Sequence, residues 1–147
     1  MIASGLAFVS LMACGEPPHD SISSLSATAN VVVLQERPTR FQTDAVITNE
    51  SQDSVRLIEN CGKELRVMSV RDSLGPPVWT SVNPKAECPG ASIANLAAGE
   101  QTVYQFEASA LEILRSSEQN GIYRVEVVIP IDGRSIIVNA GRISLLR

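Results

Sequence analysis

The residues best suited to chemistry in this sequence are three cysteines and one histidine, at Cys14, Cys61, Cys88 and His19. Thiolates are nucleophiles and metal ligands, and a histidine could act as their base or complete a metal site. His19, however, lies in a polar, proline-containing stretch far along the chain from Cys61 and Cys88. No Ser-His-Asp or Cys-His arrangement is therefore available inside a folded domain, and no glycine-rich phosphate loop occurs. We expect a protein that is not an enzyme and binds no metal or cofactor.

Cys14 ends an uncharged apolar run that begins at Ile2. The run has the length of a signal-peptide hydrophobic region and is shorter than the ~20 residues that cross a bilayer as a helix. With Leu11-Met12-Ala13-Cys14 at its end, the segment resembles a bacterial lipoprotein signal peptide with its lipobox. That resemblance implies cleavage after residue 13, acylation of Cys14, and attachment to a membrane of the bacterial cell envelope through lipid. The alternatives are a plain secretory signal and an apolar N-terminus with an incidental cysteine.

Once lipid occupies Cys14, Cys61 and Cys88 remain as a pair in an exported protein. An oxidising compartment favours a disulfide between them. Closing such a loop stabilises a fold by about 3–4 kcal/mol in the chain-entropy model. The alternatives are a metal site or a reactive thiol, but a metal site needs further ligands, and His19 is remote from both cysteines. We therefore predict a Cys61–Cys88 disulfide.

Charge and composition exclude several partners and define three parts of the chain. The 12 Lys and Arg residues against 16 Asp and Glu residues give a net charge of −4. These charges are scattered without a basic cluster, which argues against nucleic acid. Aromatic residues form only 4% of the chain, too few for an exposed sugar-binding platform. We predict a signal peptide over 1–13, a flexible tether over 14–26 in which His19 is solvated, and one domain over 27–147.

Within that domain, short β-type runs alternate with turn signals about every ten residues. The predicted strands cover 30–35, 41–48, 54–58, 64–70, 77–82, 101–107, 122–131, 135–139 and 143–146. An irregular segment containing Cys88-Pro-Gly90 precedes a tight turn at 96–100. Ser109 to Glu112 fits a capping box for one helical turn, with Leu111 and Leu114 pointing inward. The prediction is an all-β, antiparallel immunoglobulin-like sandwich of about 7–9 strands with one short helical connection.

The last third of the chain carries the clearest pattern. Apolar residues alternate with others, so one face of a strand should be buried and Arg124 and Glu126 should be exposed on the other face. The predicted buried residues are Tyr123, Val125, Val127, Ile129 and Ile131. Asp132-Gly133 predicts a tight hairpin, Ala140-Gly141 predicts a bend, and Pro130 should face an edge or a bulge.

Four features carry a further resemblance. They are Ile47-Thr-Asn49-Glu-Ser51, Asp72-Ser-Leu-Gly75 with Val78-Trp79, Leu96-Ala-Ala-Gly-Glu100, and Gly121-Ile-Tyr123-Arg-Val125. The last resembles a late strand of immunoglobulin-like sandwiches, in which the tyrosine hydroxyl bonds to an upstream backbone group. Together, over 41–145, they are similar to bacterial domains of the BsuPI type, named for an intracellular proteinase inhibitor. The motifs occupy turn and core positions, so the resemblance implies a fold and places no inhibitory residue.

Two functions follow as expectations. The first is a lipid-anchored, noncatalytic immunoglobulin-like module that binds or spaces another envelope protein. The alternative is a proteinase inhibitor, in which the loop Val82–Cys88 presents an extended strand to a protease cleft and is braced by Cys88. Trp79 could anchor a ligand, but a lone tryptophan in a sandwich more often fills the core beside the disulfide.

Overall fold

The computed structural model describes residues 21–59, 62–72, 74–82, 90–115 and 118–147. Over these residues the chain forms nine β-strands and one short α-helix, with a 3₁₀ turn at Ser21–Ser24. The strands are β1 Leu25–Glu36, β2 Thr39–Asn49, β3 Val55–Glu59, β4 Glu64–Ser69, β5 Trp79–Thr80, β6 Ser92–Leu96, β7 Gln101–Ser109, β8 Gly121–Ile131 and β9 Arg134–Leu145. The helix α1 is Ala110–Ile113. In this part of the chain, no helix is long and apolar enough to cross a membrane.

The strands pair into two antiparallel sheets. One sheet has the order β1-β2-β7, and the other has the order β5-β4-β8-β3-β6 with β9 paired to β8. Val125 of β8 lies opposite both Val67 of β4 and Gly141 of β9, so β8 runs between those two strands. The predicted all-β antiparallel sandwich with one short helical connection is confirmed.

Side chains alternate between the two faces of each strand, and the inward-facing side chains of both sheets pack together to form the core. In β2 every second residue is buried, and Phe41, Ala45 and Ile47 have no solvent exposure. The predicted inward row of β8 is confirmed. Its buried members are Tyr123, Val125, Val127, Ile129 and Ile131. Full burial of such an aliphatic side chain contributes about 1.5–3 kcal/mol, so β8 is the main core strand of its sheet.

The prediction that Arg124 and Glu126 are exposed is wrong. Their side chains are only 24% and 16% exposed, and Arg124 Nη2 lies 2.8 Å from Glu126 Oε1. Glu126 is also directly opposite Arg66 of β4. Because β8 has a neighbour on each side, these long side chains lie along the outer face and shield one another. Met68 is buried on the same face, so that face is a packed surface.

The serine cap of the predicted capping box at α1 and the inward position of Leu114 are confirmed, but the prediction that Leu111 points inward is wrong. Ser109 Oγ accepts a hydrogen bond from the Glu112 amide at 3.3 Å. Ala110, Ile113 and Leu114 are buried, whereas Leu111 is 61% exposed. Residues three and four apart share a helix face. Since Ala110 faces the core, Ile113 and Leu114 face it too, and Leu111 points to solvent.

Three strands differ in extent from the prediction. Ser92–Leu96 forms β6, which pairs with β3 where an irregular segment was expected. Strand β5 covers only Trp79–Thr80, much less than the predicted 77–82. Strand β1 begins at Leu25, inside the predicted tether of 14–26 and five residues before the predicted start of the strand at residue 30. A short edge strand such as β6 lacks the alternation that marks a strand with one buried face.

The hairpin between β8 and β9 has the predicted tight turn, with positive φ angles of 50° at Asp132 and 73° at Gly133. Asp132 also bonds to β3, since its amide donates to the Ile58 carbonyl and its Oδ1 accepts from the Ile58 amide, both at 3.0 Å. The predicted bend at 140–141 is a β-bulge, because Val125 pairs with Gly141 and the next residue of β8 pairs with Asn139.

Pro130 lies where the neighbour of β8 changes. Val128 pairs with Glu64 of β4, and Ile131 pairs with Glu59 of β3. Neither ladder, as far as the structure describes them, includes Pro130, so its missing N–H breaks no bond in them. This position fits the predicted edge or bulge.

Candidate functional site

The predicted site residues lie outside the described part of the chain. Cys14 and His19 precede residue 21, Cys61 falls in the gap at 60–61, and Cys88 falls in the gap at 83–89. Most of the predicted protease-facing loop, Val82–Cys88, also lies in the second of these gaps. Acylation, disulfide and loop therefore stay predictions. Among the residues that are described, no group of three or more His, Cys, Asp and Glu side chains could hold a metal ion.

Asn49, from the first resemblance motif, joins two turns. Its side chain has no solvent exposure, and Nδ2 donates to the carbonyl oxygens of Asp53 at 2.8 Å and Leu96 at 3.0 Å. Its Oδ1 accepts from the amide and the hydroxyl of Ser51, at 3.0 and 2.7 Å. A buried amide satisfied in this way is costly to replace. The motif therefore stabilises the turns after β2 and β6 and is not free to bind a ligand.

Tyr123 and Trp79 also have structural positions. The Tyr123 hydroxyl donates to the Gln119 carbonyl at 2.5 Å, which is the upstream bond that the immunoglobulin-like resemblance predicted. Burial, and then the nearby Glu118 carboxylate, raise the pKa of Tyr123 above its ordinary value. Trp79 is partly buried and packs against the core cluster, as predicted. Neither ring stands free as an anchor for a ligand.

A buried polar cluster joins the two sheets and was not predicted. Glu59 of β3 accepts a hydrogen bond from the Tyr104 hydroxyl of β7 and one from Lys63 Nζ at 2.8 Å. Lys63 Nζ also lies 4.7 Å from the centre of the Tyr104 ring. Burial acts to raise the pKa of Glu59, but the bonds from Lys63 and Tyr104 outweigh it, and the pKa falls below its ordinary value. For Tyr104, burial and then the Glu59 bond raise the pKa.

This cluster holds a charged carboxylate in place and leaves it no access to a substrate. Glu59 is 9% exposed, and its oxygens already accept from Tyr104 and Lys63. Glu59 and Tyr104 lie 45 residues apart, so no local sequence pattern could bring them together. We interpret the cluster as a polar link between β3 and β7.

A candidate binding site is a groove of about 330 Å³ between β1 and β9, which are edge strands of opposite sheets. We call it the edge groove. Its lining residues are Val31, Val33, Glu36, Thr39, Arg142, Ile143, Ser144 and Leu146. At one end the Thr39 amide donates to the Leu146 carbonyl at 2.8 Å, which joins β2 to the end of β9. Toward the other end, a Cβ atom on Gly141 would lie 3.7 Å from Val31 Cγ1.

The wall that β1 contributes to the edge groove is apolar and consists of Val31 and Val33, of which Val33 is 48% exposed. The register with β2 shifts between Val33 and Gln35, so Leu34 forms a bulge. Val32 and Leu34, which are 46% and 49% exposed, are neighbours of Val33 in the chain but do not line the groove. Contiguous exposed apolar residues with a polar rim are typical of interaction sites.

Opposite charges flank this apolar wall. Arg142 follows Gly141, which lies against Val31, and is therefore level with the start of the wall. Glu36 lies at the other end, about 16 Å away by the rise of β1. Both side chains are exposed, and neither forms an ion pair with another described residue. The edge groove can therefore offer apolar contact at its centre and one charge of each sign at its ends.

Sequence reasoning missed the edge groove, although one signal was present. Val31 to Leu34 are four consecutive apolar residues, and a strand with one buried face should alternate. Four consecutive apolar residues are equally typical of a strand that is buried on both faces, so the run alone does not indicate an exposed edge strand. Only the pairing of the strands shows that β1 is an edge strand.

No protein-family model and no curated protein matches this sequence. Solved structures that match this chain include the putative ApaA protein from Bordetella pertussis, 14% identical, with 83% of this chain and 92% of that chain covered and a TM-score of 0.40. The alkylpurine DNA glycosylase AlkC from Pseudomonas fluorescens is also 14% identical, over 82% of this chain and 30% of that chain, with a TM-score of 0.40. A β-glucosidase from Listeria innocua is 17% identical, over 80% of this chain and 16% of that chain, with a TM-score of 0.37.

Proposed function

We propose that this protein is a lipid-anchored, noncatalytic protein-binding module of the bacterial cell envelope. The edge groove is the observation that carries the proposal. Its apolar wall at Val31 and Val33, flanked by Glu36 and Arg142, offers the contacts that a protein surface uses: an apolar centre with a charged rim. The anchor follows from the lipobox resemblance at Cys14.

A polypeptide suits the edge groove better than a small molecule does. Ligand pockets of about 300–1,000 Å³ usually surround most of the ligand. This groove lies at the small end of that range and is formed by the ends of β1, β2 and β9, with Val33 almost half exposed. An extended segment could lie along its length and place apolar side chains against Val33 and Leu146.

The path of the chain favours a partner other than the anchoring membrane. Residues 14–20 can span at most about 25 Å, and they reach the domain at the beginning of β1, where the Glu50 amide donates to the Ser24 carbonyl at 2.9 Å. Val33 lies about 27 Å further along β1 by the rise of a strand. With Cys14 in the membrane, the edge groove is therefore at the end of β1 remote from the tether.

Crosslinking in native envelopes tests the proposal. We expect the wild-type protein to form a defined crosslinked species, and Val33→Arg to reduce it strongly because a charge would enter the apolar wall. Thr28→Arg is the matched control, since Thr28 is exposed on the same strand outside the edge groove. An unchanged crosslinking pattern in a folded Val33→Arg protein would refute the binding role of the edge groove.

A protease panel separates this proposal from the proteinase-inhibitor alternative. A noncatalytic binding module should leave every protease in the panel active at equimolar concentration. Stoichiometric inhibition that a substitution at Val82 abolishes would instead favour the inhibitor.

A further inference from the structure

The charges and the apolar wall of the edge groove form a self-complementary pattern. Along the groove the order is Arg142, then the apolar wall, then Glu36. A two-fold axis through the middle of the wall and perpendicular to β1 reverses this order in a second copy. Each Arg142 then meets the other copy's Glu36, and apolar wall meets apolar wall. In a symmetric homodimer the same surface patch of both copies forms the interface, so the patch must be complementary to itself under a two-fold axis.

We infer that the edge groove binds the edge groove of a second copy of this chain, forming a symmetric dimer. This inference rests on the proposed protein-binding function and names its partner. Arg142 supports the choice, because its side chain is exposed and forms no ion pair with another described residue. The partner's Glu36 would supply the opposite charge. Glu36 gains a cation in the same contact.

The contact is formed by side chains and does not extend the sheet. The bulge at Leu34 interrupts the edge of β1, and Pro38 lies two residues after the end of the strand. Bulges and prolines at a strand edge hinder the addition of another strand. The contact instead uses Val33, which lines the groove and is 48% exposed, so that it can pack against Val33 of the second copy.

Anchoring in a membrane is a further reason to expect a second copy of the chain as the partner. Copies held in one membrane have a high effective concentration, so a contact of modest affinity can be populated there. The chain's own tether is a poor occupant, because it joins the domain at the opposite end of β1.

Charge exchange in full-length protein tests the inference. Dimer formation is measured by short-range crosslinking in native envelopes and by sedimentation of the purified lipoprotein in mild detergent. Glu36→Arg and Arg142→Glu should each weaken the dimer about tenfold or more, because each places like charges together at two symmetry-related positions. The double variant E36R/R142E should restore the dimer. The matched control, E50R/R56E, changes the same charges outside the edge groove and should dimerise like wild type.

Each possible result of the crosslinking and sedimentation assays either supports or contradicts the dimer. A wild-type protein that is monomeric in both assays, or a dimer insensitive to the single reversals, overturns the inference. Crosslinks to a different protein that the single reversals abolish and the double reversal fails to restore also overturn it, but leave the proposed binding function standing. If a charge reversal prevents folding, the neutral variants Glu36→Gln and Arg142→Gln are measured instead. Each neutral variant should weaken the dimer, by less than is expected of the charge reversal.

Discussion

At the residue scale, the Glu59–Tyr104–Lys63 cluster is where pH should act on this protein. The folded-state pKa of Glu59 is lowered, so its contribution to stability is present above the ordinary pKa of 4.5 and is lost as pH falls through the lowered value. Protonation removes the charge that Lys63 compensates and makes the bond from Tyr104 weaker.

We therefore expect acid to destabilise the wild type more than Glu59→Gln. At neutral pH the variant should be less stable by about 1–3 kcal/mol, because buried donors lose a charged acceptor. Below pH 4.5 the difference between the two proteins should shrink. Urea unfolding at several pH values measures this, with Glu107→Gln, an exposed carboxylate, as control. A difference that stays constant down to strongly acidic pH would contradict the assignment.

Gly141 is a second residue with a specific role. Its φ is +114°, a backbone conformation that residues with an L side chain rarely adopt. Gly141 also lies beside Val31, at the end of the edge groove nearest to Arg142. We expect Gly141→Ala to destabilise the fold by about 1–3 kcal/mol, the usual cost of such backbone strain. Gly121→Ala is the control, since its φ is not positive and its new Cβ would be in ordinary contact, 4.0 Å from the Tyr123 ring. Thermal melts should rank the two variants in this order.

At the scale of elements, the Cys61–Cys88 disulfide stays a prediction. Glu59 of β3 lies directly opposite Ser92 of β6, and in the sequence Cys61 follows Glu59 by two residues and Cys88 precedes Ser92 by four. We expect protein isolated with immediate alkylation to show no free thiol at either cysteine until it is reduced. Mass spectrometry of the linked peptides checks this. Two alkylated cysteines in unreduced protein would disprove the pairing.

Elements with a local signature were predictable, and elements that depend on distant partners were not. The β8–β9 hairpin follows from strict alternation and Asp132-Gly133, and α1 follows from the Ser109 capping box. Strand β6 was missed because its pairing with β3 gives no pattern within Ser92–Leu96. The half-buried state of Arg124 and Glu126 was missed because it needs a neighbouring strand on each side of β8.

The candidate site was less predictable than the fold for the same reason. The predicted chemistry lies at Cys14, Cys61 and Cys88, which the sequence alone identifies. The edge groove and the Glu59–Tyr104 link arise from contacts between strands far apart in sequence, and neither residue type nor spacing indicates them.

At the scale of the whole molecule, the anchor determines where the domain acts. If Cys14 is acylated, the native protein should partition into detergent and carry acyl mass on its N-terminal peptide. We expect Cys14→Ser to accumulate as unprocessed, weakly anchored precursor, because several acyl chains at ~0.8 kcal/mol per buried CH₂ hold the mature protein far more tightly. Normal processing and membrane retention of that variant would exclude a lipoprotein.

The long β1–β2 ladder has a mechanical consequence. A membrane tether pulls on the beginning of β1 at Leu25, while a partner bound in the edge groove can hold Thr39, which lines the groove at the beginning of β2. The two forces act at opposite ends of the antiparallel ladder, so its hydrogen bonds, from Leu25–Asn49 to Val33–Phe41, are loaded together in shear. We expect single-molecule pulling between residue 21 and residue 39 to require a higher rupture force than pulling between residue 21 and residue 50, where the bonds of the same ladder break one after another.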